Sequence, residues 1–405
     1  MDELQVKEPA SPLLEPTAVD RFLIARGGPF YELQQRLGLL HENALQTGKR
    51  ALLAVGLAWG IPLVLSLATG HAWGPVVTRP FLLDPGAWAR FLLAVAIFVL
   101  MEGMVEERLR GLLRQLVRAP LVAPASMAAG AAAVIRAIDQ RDNAVAEAVI
   151  LVLAVLISVS AAMTHLRAPD ASWFIAVDAA GDGDLTLAGW WTVLIGAPLF
   201  WFLMLRWLWR HLLWALLLRD LARLDLRLVA SHPDGMGGIG FIGKYPNIFS
   251  LFVFALSGVV AAALARGLLT GGLSIAVFPK VMGIWLLVVF VLFAVPLTAF
   301  MGPLSRLKQA TMLACSARAT RYQRAVEREM LETNIMAPDP AEAETTQPVP
   351  DPAKLYASAV KLQTFPISKA VLLPLGAAAL LPLVAAGATQ MPFKELLKIA
   401  KGLLL

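Results

Sequence analysis

The sequence predicts an all-α, polytopic membrane protein. Of its 405 residues 58% are hydrophobic and only 16% are charged, and the mean hydropathy is +0.68. A soluble domain usually carries about 25% charged residues. The apolar residues stand in long continuous blocks rich in Leu, Ala and Val, whereas a transmembrane barrel would show short alternating segments. These observations exclude a soluble globule, a disordered chain and a disulfide scaffold.

The apolar blocks are long enough to cross a bilayer as helices, which takes about 20 residues. Six blocks predict six spans: Ala51–Thr69, Phe91–Val105, Ala146–Thr164, Trp190–Leu205, Ile248–Ala265 and Val281–Pro303. A seventh block, Val371–Thr389, is interrupted by prolines at 374 and 382. It predicts either a seventh crossing or a re-entrant hairpin. Its length favours a crossing.

The rest of the chain divides around these spans. Residues 1–50 predict an N-terminal region with an amphipathic helix, and 51–303 the six-span domain, whose even-numbered spans continue into basic helices. Residues 304–335 predict a further helix, and 336–352 an acidic, Pro-rich linker. Residues 353–405 predict the seventh membrane segment and a C-terminal amphipathic helix.

The distribution of Lys and Arg predicts the orientation. These residues concentrate in 1–50, 104–143, 206–247 and 303–369 and are sparse in the three intervening loops. The positive-inside rule then places the N-terminus in the cytoplasm. With no apolar core before residue 51, the sequence predicts no cleaved signal peptide. The predicted location is the bacterial inner (plasma) membrane, with multiple crossings.

Several kinds of chemistry find no support in the sequence. A lone cysteine, Cys315, excludes an internal disulfide and a multi-cysteine metal site. There is no Walker motif, no HExxH zinc motif and no Ser nucleophile elbow. The net charge of +6 comes without a nucleic-acid recognition module. We therefore predict no cofactor, no metal and no nucleic-acid partner.

Glu102 lies within the second predicted span and is the candidate ion or proton site. An ionisable side chain inside a bilayer is a functional candidate by default, because burying its charge is costly. The alternative is that Glu102 belongs to a group of charges at the membrane rim, since Glu106, Glu107, Arg108 and Arg110 follow closely.

A Gly-rich segment, 232–243, precedes the fifth span. Its candidate residues are His232, Asp234, Gly235, Gly237, Gly238 and Gly240. Three of the glycines match G-x-G-x-x-G, but a dinucleotide site also needs a preceding strand, and here a membrane-linked helix precedes. An anion nest of backbone N–H groups and a hinge or closely packed turn remain open. The His and Asp would also serve a membrane-embedded enzyme as a proton-handling pair.

Basic residues follow the fourth span. Arg206 and Arg210 end it, and Arg219, Arg223 and Arg227 recur every four residues, so these three line one helix face. Together the five predict an electropositive cytoplasmic mouth that attracts anions. The alternatives are an interfacial Trp and Arg belt, contact with anionic inner-leaflet lipids, or an acidic partner.

Two functions compete. The first is an ion or small-solute channel or transporter with the electropositive cytoplasmic mouth. The second is a non-transporting membrane scaffold or sensor that binds partners through its basic cytoplasmic helices. A membrane-embedded enzyme using His232 and Asp234 is a third interpretation. The predicted partners are the bilayer, anionic inner-leaflet lipids, and a second copy or another membrane protein.

Overall fold

A computed structural model describes residues 19–20, 22–40, 45–167, 170–269, 275–338, 350–367 and 369–404. The structure is 75% helical, and the all-α prediction is confirmed. The helices, numbered along the chain, are α1 (Pro29–Arg36), α2 (Thr47–Ala68), α3 (Pro85–Arg118), α4 (Met127–Arg141), α5 (Ala144–Arg167), α6 (Leu187–Ala222), α7 (Ile242–Leu269), α8 (Phe278–Leu331), α9 (Ala353–Lys361), α10 (Lys369–Gly387) and α11 (Phe393–Leu404). A short antiparallel hairpin pairs β1 (Ile175–Val177) with β2 (Gly183–Leu185).

Seven of the described helices are long and apolar enough to cross a membrane, namely α2, α3, α5, α6, α7, α8 and α10. The chain is therefore a multi-pass membrane protein. The even-numbered spans α3, α6 and α8 have 34, 36 and 54 residues, well beyond one crossing. The predicted helical extensions are thus confirmed. Of the predicted linker, residues 339–349 lie outside the described residues.

The seventh crossing is also confirmed, because α10 is one helix despite its internal Pro374 and Pro382. It packs along α7 and also against α8. Its last residue, Gly387, is so close to Phe278 that a Cβ there would meet the Phe278 ring. Because Phe278 begins α8, the end of α10 is level with the start of the sixth span. This closeness rules out a hairpin that turns back within the membrane.

Three spans contain a π-helical segment: Gly56–Gly60 in α2, Trp88–Ala94 in α3 and Thr192–Gly196 in α6. The segments of α2 and α6 are each followed by proline, at positions 62 and 198. Proline lacks an N–H and clashes with the carbonyl four residues earlier, so the local hydrogen-bond ladder widens. The segments of α2 and α3 contact each other, and so do those of α2 and α6.

The backbones of α2 and α6 come into close contact at these segments. A Cβ on Gly196 would lie 3.2 Å from the carbonyl oxygen of Ala58. Pro62 leaves this same carbonyl without its usual donor four residues on. Small residues allow such approaches between membrane helices. The helix distortions and the close approach of α2 and α6 therefore share one location.

Candidate functional site

The Gly-rich segment forms a turn around the carboxylate of Asp234. That carboxylate accepts hydrogen bonds from the backbone N–H groups of Met236, Gly238 and Gly240, at 2.8, 3.1 and 2.9 Å. His232 lies 2.9 Å from the same carboxylate through Nδ1. The backbone amides that an external anion would use are thus occupied by a side chain of the segment itself. This geometry favours a closely packed turn.

Neighbouring segments pack tightly against this turn. The backbone N–H of Gln363 donates to the carbonyl of Gly235 at 2.9 Å. A Cβ on Gly237 would lie 3.2 Å from Leu304, and one on Gly243 would overlap the carbonyl of Pro366. Gly237 also has φ +69, a conformation that favours glycine. The glycines at 237 and 243 therefore allow close packing.

The turn should respond to pH through Asp234. Burial would raise the pKa of Asp234, but hydrogen bonds from three backbone amides and His232 outweigh it and hold the pKa below its ordinary value. A carboxyl group whose pKa is lower in the folded state than in the unfolded state stabilises the fold. The stabilisation is complete at pH values above the unfolded-state pKa of about 3.9 and is lost as the pH falls through the folded-state pKa.

We therefore expect Asp234→Asn to lower stability at neutral pH by on the order of 1 kcal/mol, because the hydrogen bonds lose their charged acceptor. The difference in the free energy of unfolding between the variant and wild type should disappear below about pH 4, because the wild-type carboxylate is then protonated as well. Thermal unfolding in detergent at several pH values measures the loss of stability at neutral pH and its dependence on pH. The exposed Asp139, changed to Asn, is the matched control. A gap that persists unchanged at low pH would contradict a role for the carboxylate charge.

Glu102 lies in a buried cluster of charges contributed by four spans. Its side chain is only 1% exposed. Its carboxylate oxygens lie 2.6 Å from Arg50 Nη1, 3.2 Å from Arg210 Nη1 and 3.7 Å from Arg206 Nη1. Arg206 also contacts Glu147, with 2.9 Å from Nε to Oε1. These five residues, here called the ion-pair cluster, join α2, α3, α5 and α6.

The turn before α1 covers the ion-pair cluster at the N-terminal side of the membrane, meaning the side on which α2 begins. The carbonyl oxygens of Ala25 and Gly27 accept hydrogen bonds from the two cluster arginines of α6. The N–H of Phe30 donates to Glu147 at 2.7 Å. Gly28 has φ +85, and a Cβ there would crowd the Glu147 carboxylate. Backbone and side chains together thus satisfy the buried charges.

The rim charges that follow Glu102 divide between buried and exposed positions. Glu106 is 3% exposed and lies 3.1 Å from Arg26 and 3.2 Å from Arg110. Glu107 and Arg108 are exposed on the other side of α3. The buried charges on this helix therefore extend one turn beyond the ion-pair cluster.

The structure does not bring together the five arginines of the predicted mouth. Arg206 and Arg210 are 4% and 3% exposed and belong to the ion-pair cluster. Arg219, Arg223 and Arg227 are exposed along the end of α6 and just beyond it. The two buried arginines thus hold spans together through ion pairs, and the other three are exposed on the surface.

An aromatic layer lies directly against the ion-pair cluster. It consists of Phe98, Phe200, Trp207, Phe249 and Phe252, all at most 1% exposed. The Phe98 ring contacts those of Phe200 and Phe252, with centroids 6.1 and 5.5 Å apart. Trp207 contacts Phe249 and Phe252. The guanidinium of Arg210 lies 5.0 Å above the Trp207 ring.

Beyond the aromatic layer is a cleft of about 990 Å³ between α6, α7 and α8, here called the membrane cleft. Phe200 and Phe252 belong both to its wall and to the aromatic layer. Its other walls are mainly aliphatic. At the far end it reaches Arg90, His165 and Arg266. These three stand where α3 begins and where α5 and α7 end, on the side of the membrane away from α1.

Sequence reasoning missed the residues at the far end of the cleft and also missed Glu147. In the sequence, Arg90 and Arg266 are two of the sparse basic residues of the intervening loops. The available signal was their position at the ends of two apolar runs that reach the same side of the membrane. This position alone does not show that the second and fifth spans pack side by side, and only that packing brings the two arginines together. Within the described residues, no group of three or more His, Cys, Asp or Glu side chains could hold a metal ion.

These features define the class of protein. The chain is a multi-pass α-helical membrane protein with a buried ion-pair cluster, an aromatic layer and a cleft within its helices. No protein-family model, curated protein or solved structure matches it.

Proposed function

We propose that the chain is a membrane transporter whose solute occupies the membrane cleft. The observation that carries this proposal is the asymmetry of the bundle. The cleft extends from Arg90 and Arg266 at one end of the bundle to the aromatic layer, and the ion-pair cluster closes the end behind that layer. A cavity among the helices that is closed toward one side of the membrane is what one state of alternating access requires.

The distorted spans support movement around this site. The π-helical segments of α2, α3 and α6 interrupt regular hydrogen bonding where these helices meet. Such segments are frequent at functional sites, and they are places where helices bend. In the proposed transporter, α3 and α6 bend there and open the aromatic layer, whose Phe98, Phe200 and Trp207 they carry.

The orientation predicted from the Lys and Arg distribution indicates which side of the membrane each end of the cleft faces. With the N-terminus in the cytoplasm, the ion-pair cluster closes the cytoplasmic end of the bundle, and the cleft reaches the outer end. In a bacterial inner membrane the described state is then one closed toward the cytoplasm. The exposed Arg219, Arg223 and Arg227, at the end of α6 and just beyond it, then face the cytoplasm, where they still fit the hypothesis of an electropositive mouth that attracts anions.

Filling the cleft should stop transport. Leu256→Trp adds bulk inside the cleft, whereas Leu251→Trp changes an exposed residue of the same helix that does not line it. We expect the first variant to slow uptake by about tenfold or more, which corresponds to a barrier raised by about 1.4 kcal/mol. The second should behave as wild type.

The assay uses proteoliposomes given a mixture of inorganic phosphate, octanoate and choline, with their contents measured by mass spectrometry. Parallel vesicles carry fluorescent phosphatidylglycerol, whose movement between leaflets is followed by dithionite quenching. Transport of any probe above empty vesicles, blocked by Leu256→Trp alone, supports the proposal. If no probe moves, or if both variants move it equally, the transport proposal fails.

One observation favours the scaffold or sensor as second candidate. The far part of α8 leaves large apolar side chains uncovered, with Leu313, Met330 and Leu331 being 75%, 77% and 52% exposed. Exposed apolar residues on a projecting helix are typical of a surface that meets a partner. Absence of transport for every probe would make this candidate the better one.

A further inference from the structure

Two arginines from different spans converge at the far end of the membrane cleft. Arg90 stands in the first turns of α3, and Arg266 stands near the end of α7. If Gly86 carried a Cβ, that atom would lie 2.7 Å from a terminal nitrogen of each guanidinium. Both guanidinium groups therefore point to one spot beside Gly86. The missing side chain leaves the room for them to approach each other.

The carboxylate of Asp84 stands beside the two like charges. Its Oδ1 lies 3.3 Å from Arg266 Nη2 and accepts a hydrogen bond from the Gly86 N–H, while its Oδ2 accepts one from the Trp173 indole. Arg90 has no ion pair with any carboxylate in the described part of the chain, and its Nε donates to the Gly86 carbonyl at 3.3 Å. Arg90 therefore brings an excess positive charge to the end of the cleft.

Among the described residues, the other ion pair at this end of the cleft does not include Arg90. Arg79 and Asp170 form their own pair at 2.5 Å. His165 lies in the wall of both the membrane cleft and a smaller cavity beside it. Unlike the arginines of the ion-pair cluster, the charge of Arg90 thus faces a cavity and is open to an anion. Arginine suits phosphate, because its planar donors match two phosphate oxygens at once.

The body of the cleft is apolar and opens sideways toward the lipid. Met204, Leu256, Val260 and Leu292 are among its lining residues. The indole of Trp285 also lines the wall, and it already donates to Ser257 at 2.8 Å. Lining residues of α8 such as Leu287 and Val291 are more than half exposed on the outer surface. An occupant can therefore enter from the bilayer with an apolar body and an anionic head.

We infer that the membrane cleft binds an anionic phospholipid from the leaflet away from α1. Its phosphate lies between Arg90 and Arg266, and one acyl chain extends between α6, α7 and α8 toward the aromatic layer. This site is separate from the exposed basic helices on the N-terminal side. The inference deepens the proposed function by naming the class of solute, and binding can be measured apart from movement.

The test is binding to the delipidated full-length protein in detergent, followed by native mass spectrometry. The probes are phosphatidylglycerol, phosphatidylcholine and free glycerol 3-phosphate. We expect one phosphatidylglycerol to bind at least about tenfold more tightly than phosphatidylcholine. Arg90→Gln should remove about tenfold of that affinity, while the exposed Arg118→Gln should leave it unchanged. Leu256→Trp should weaken lipid binding without altering any charge, and Leu251→Trp should not.

Each alternative has its own outcome. Equal binding of both lipids, or unchanged binding by Arg90→Gln, would overturn the site and leave only bulk lipid in the cleft. Glycerol 3-phosphate binding as tightly as the lipid would also overturn it, in favour of a free-phosphate site. If phosphatidylglycerol binds as expected and neither it nor any other probe moves in vesicles, the transport proposal fails and the lipid site stands. If another probe is transported and phosphatidylglycerol does not bind, the lipid site fails and the transport proposal stands.

Discussion

Replacing Glu102 by Gln should collapse the folded bundle. The substitution removes the carboxylate that contacts Arg50, Arg206 and Arg210, all of them buried. Three guanidinium groups would then share the single carboxylate of Glu147 inside the membrane. Removing one partner of a buried salt bridge costs about 3–5 kcal/mol, because the other charge stays buried without compensation. We expect a strong fall in expression and in the thermal midpoint in detergent.

Two further variants make this result specific. Glu107→Gln changes an exposed carboxylate of the same helix and should leave the midpoint unchanged. Combining Glu102→Gln with Arg210→Gln removes one excess charge, so the pair should be more stable than Glu102→Gln alone. If Glu102→Gln instead folds as wild type and loses only transport, then Glu102 is the ion or proton site that the sequence suggested.

The membrane spans could be predicted because length and hydropathy decide them locally. The environment of the charges at their ends could not. The sequence predicts a helix that continues past Leu205, the last residue of the fourth predicted span, and α6 does continue to Ala222. Arg206 and Arg210 remain inside the bundle because carboxylates from the second and third spans neutralise them. Which charges are neutralised depends on contacts between distant parts of the chain.

The same limit applies to the candidate site. Glu102 is visible in the sequence as a lone carboxylate in an apolar run, yet two of its partners stand 52 and 108 residues away. In the Gly-rich segment, backbone N–H groups gather around an anion, as they would in a nest. That anion is the carboxylate of Asp234, inside the motif. The convergence of Arg90 and Arg266 depends on α3 packing beside α7, which no local pattern reveals.

Gly243→Ala should be the most damaging glycine substitution near the Gly-rich turn. The Cβ of alanine would overlap the carbonyl of Pro366, so the segment before α10 would have to move away. The two nearest atoms, the carbonyl oxygen and carbon of Pro366, belong to the backbone, which cannot rotate aside as a flexible side chain can. Forcing an extra methyl into a packed site costs about 1–3 kcal/mol and sometimes more. Here we expect about 3 kcal/mol or more, because the displaced segment leads directly into the seventh span.

Two other glycines separate this steric effect from the general cost of replacing glycine. Gly302 lies within α8 with open space around it, so Gly302→Ala should stabilise by about 0.5–1 kcal/mol. Gly235 also has open space but φ +65, so Gly235→Ala should cost only the left-handed strain, about 1–2 kcal/mol. Thermal midpoints in detergent should therefore fall in the order Gly302→Ala, wild type, Gly235→Ala, Gly243→Ala. A midpoint for Gly243→Ala at or above that of Gly235→Ala would show that Pro366 does not pack against the start of α7, because Gly243 has no left-handed strain and that contact is the source of its expected cost.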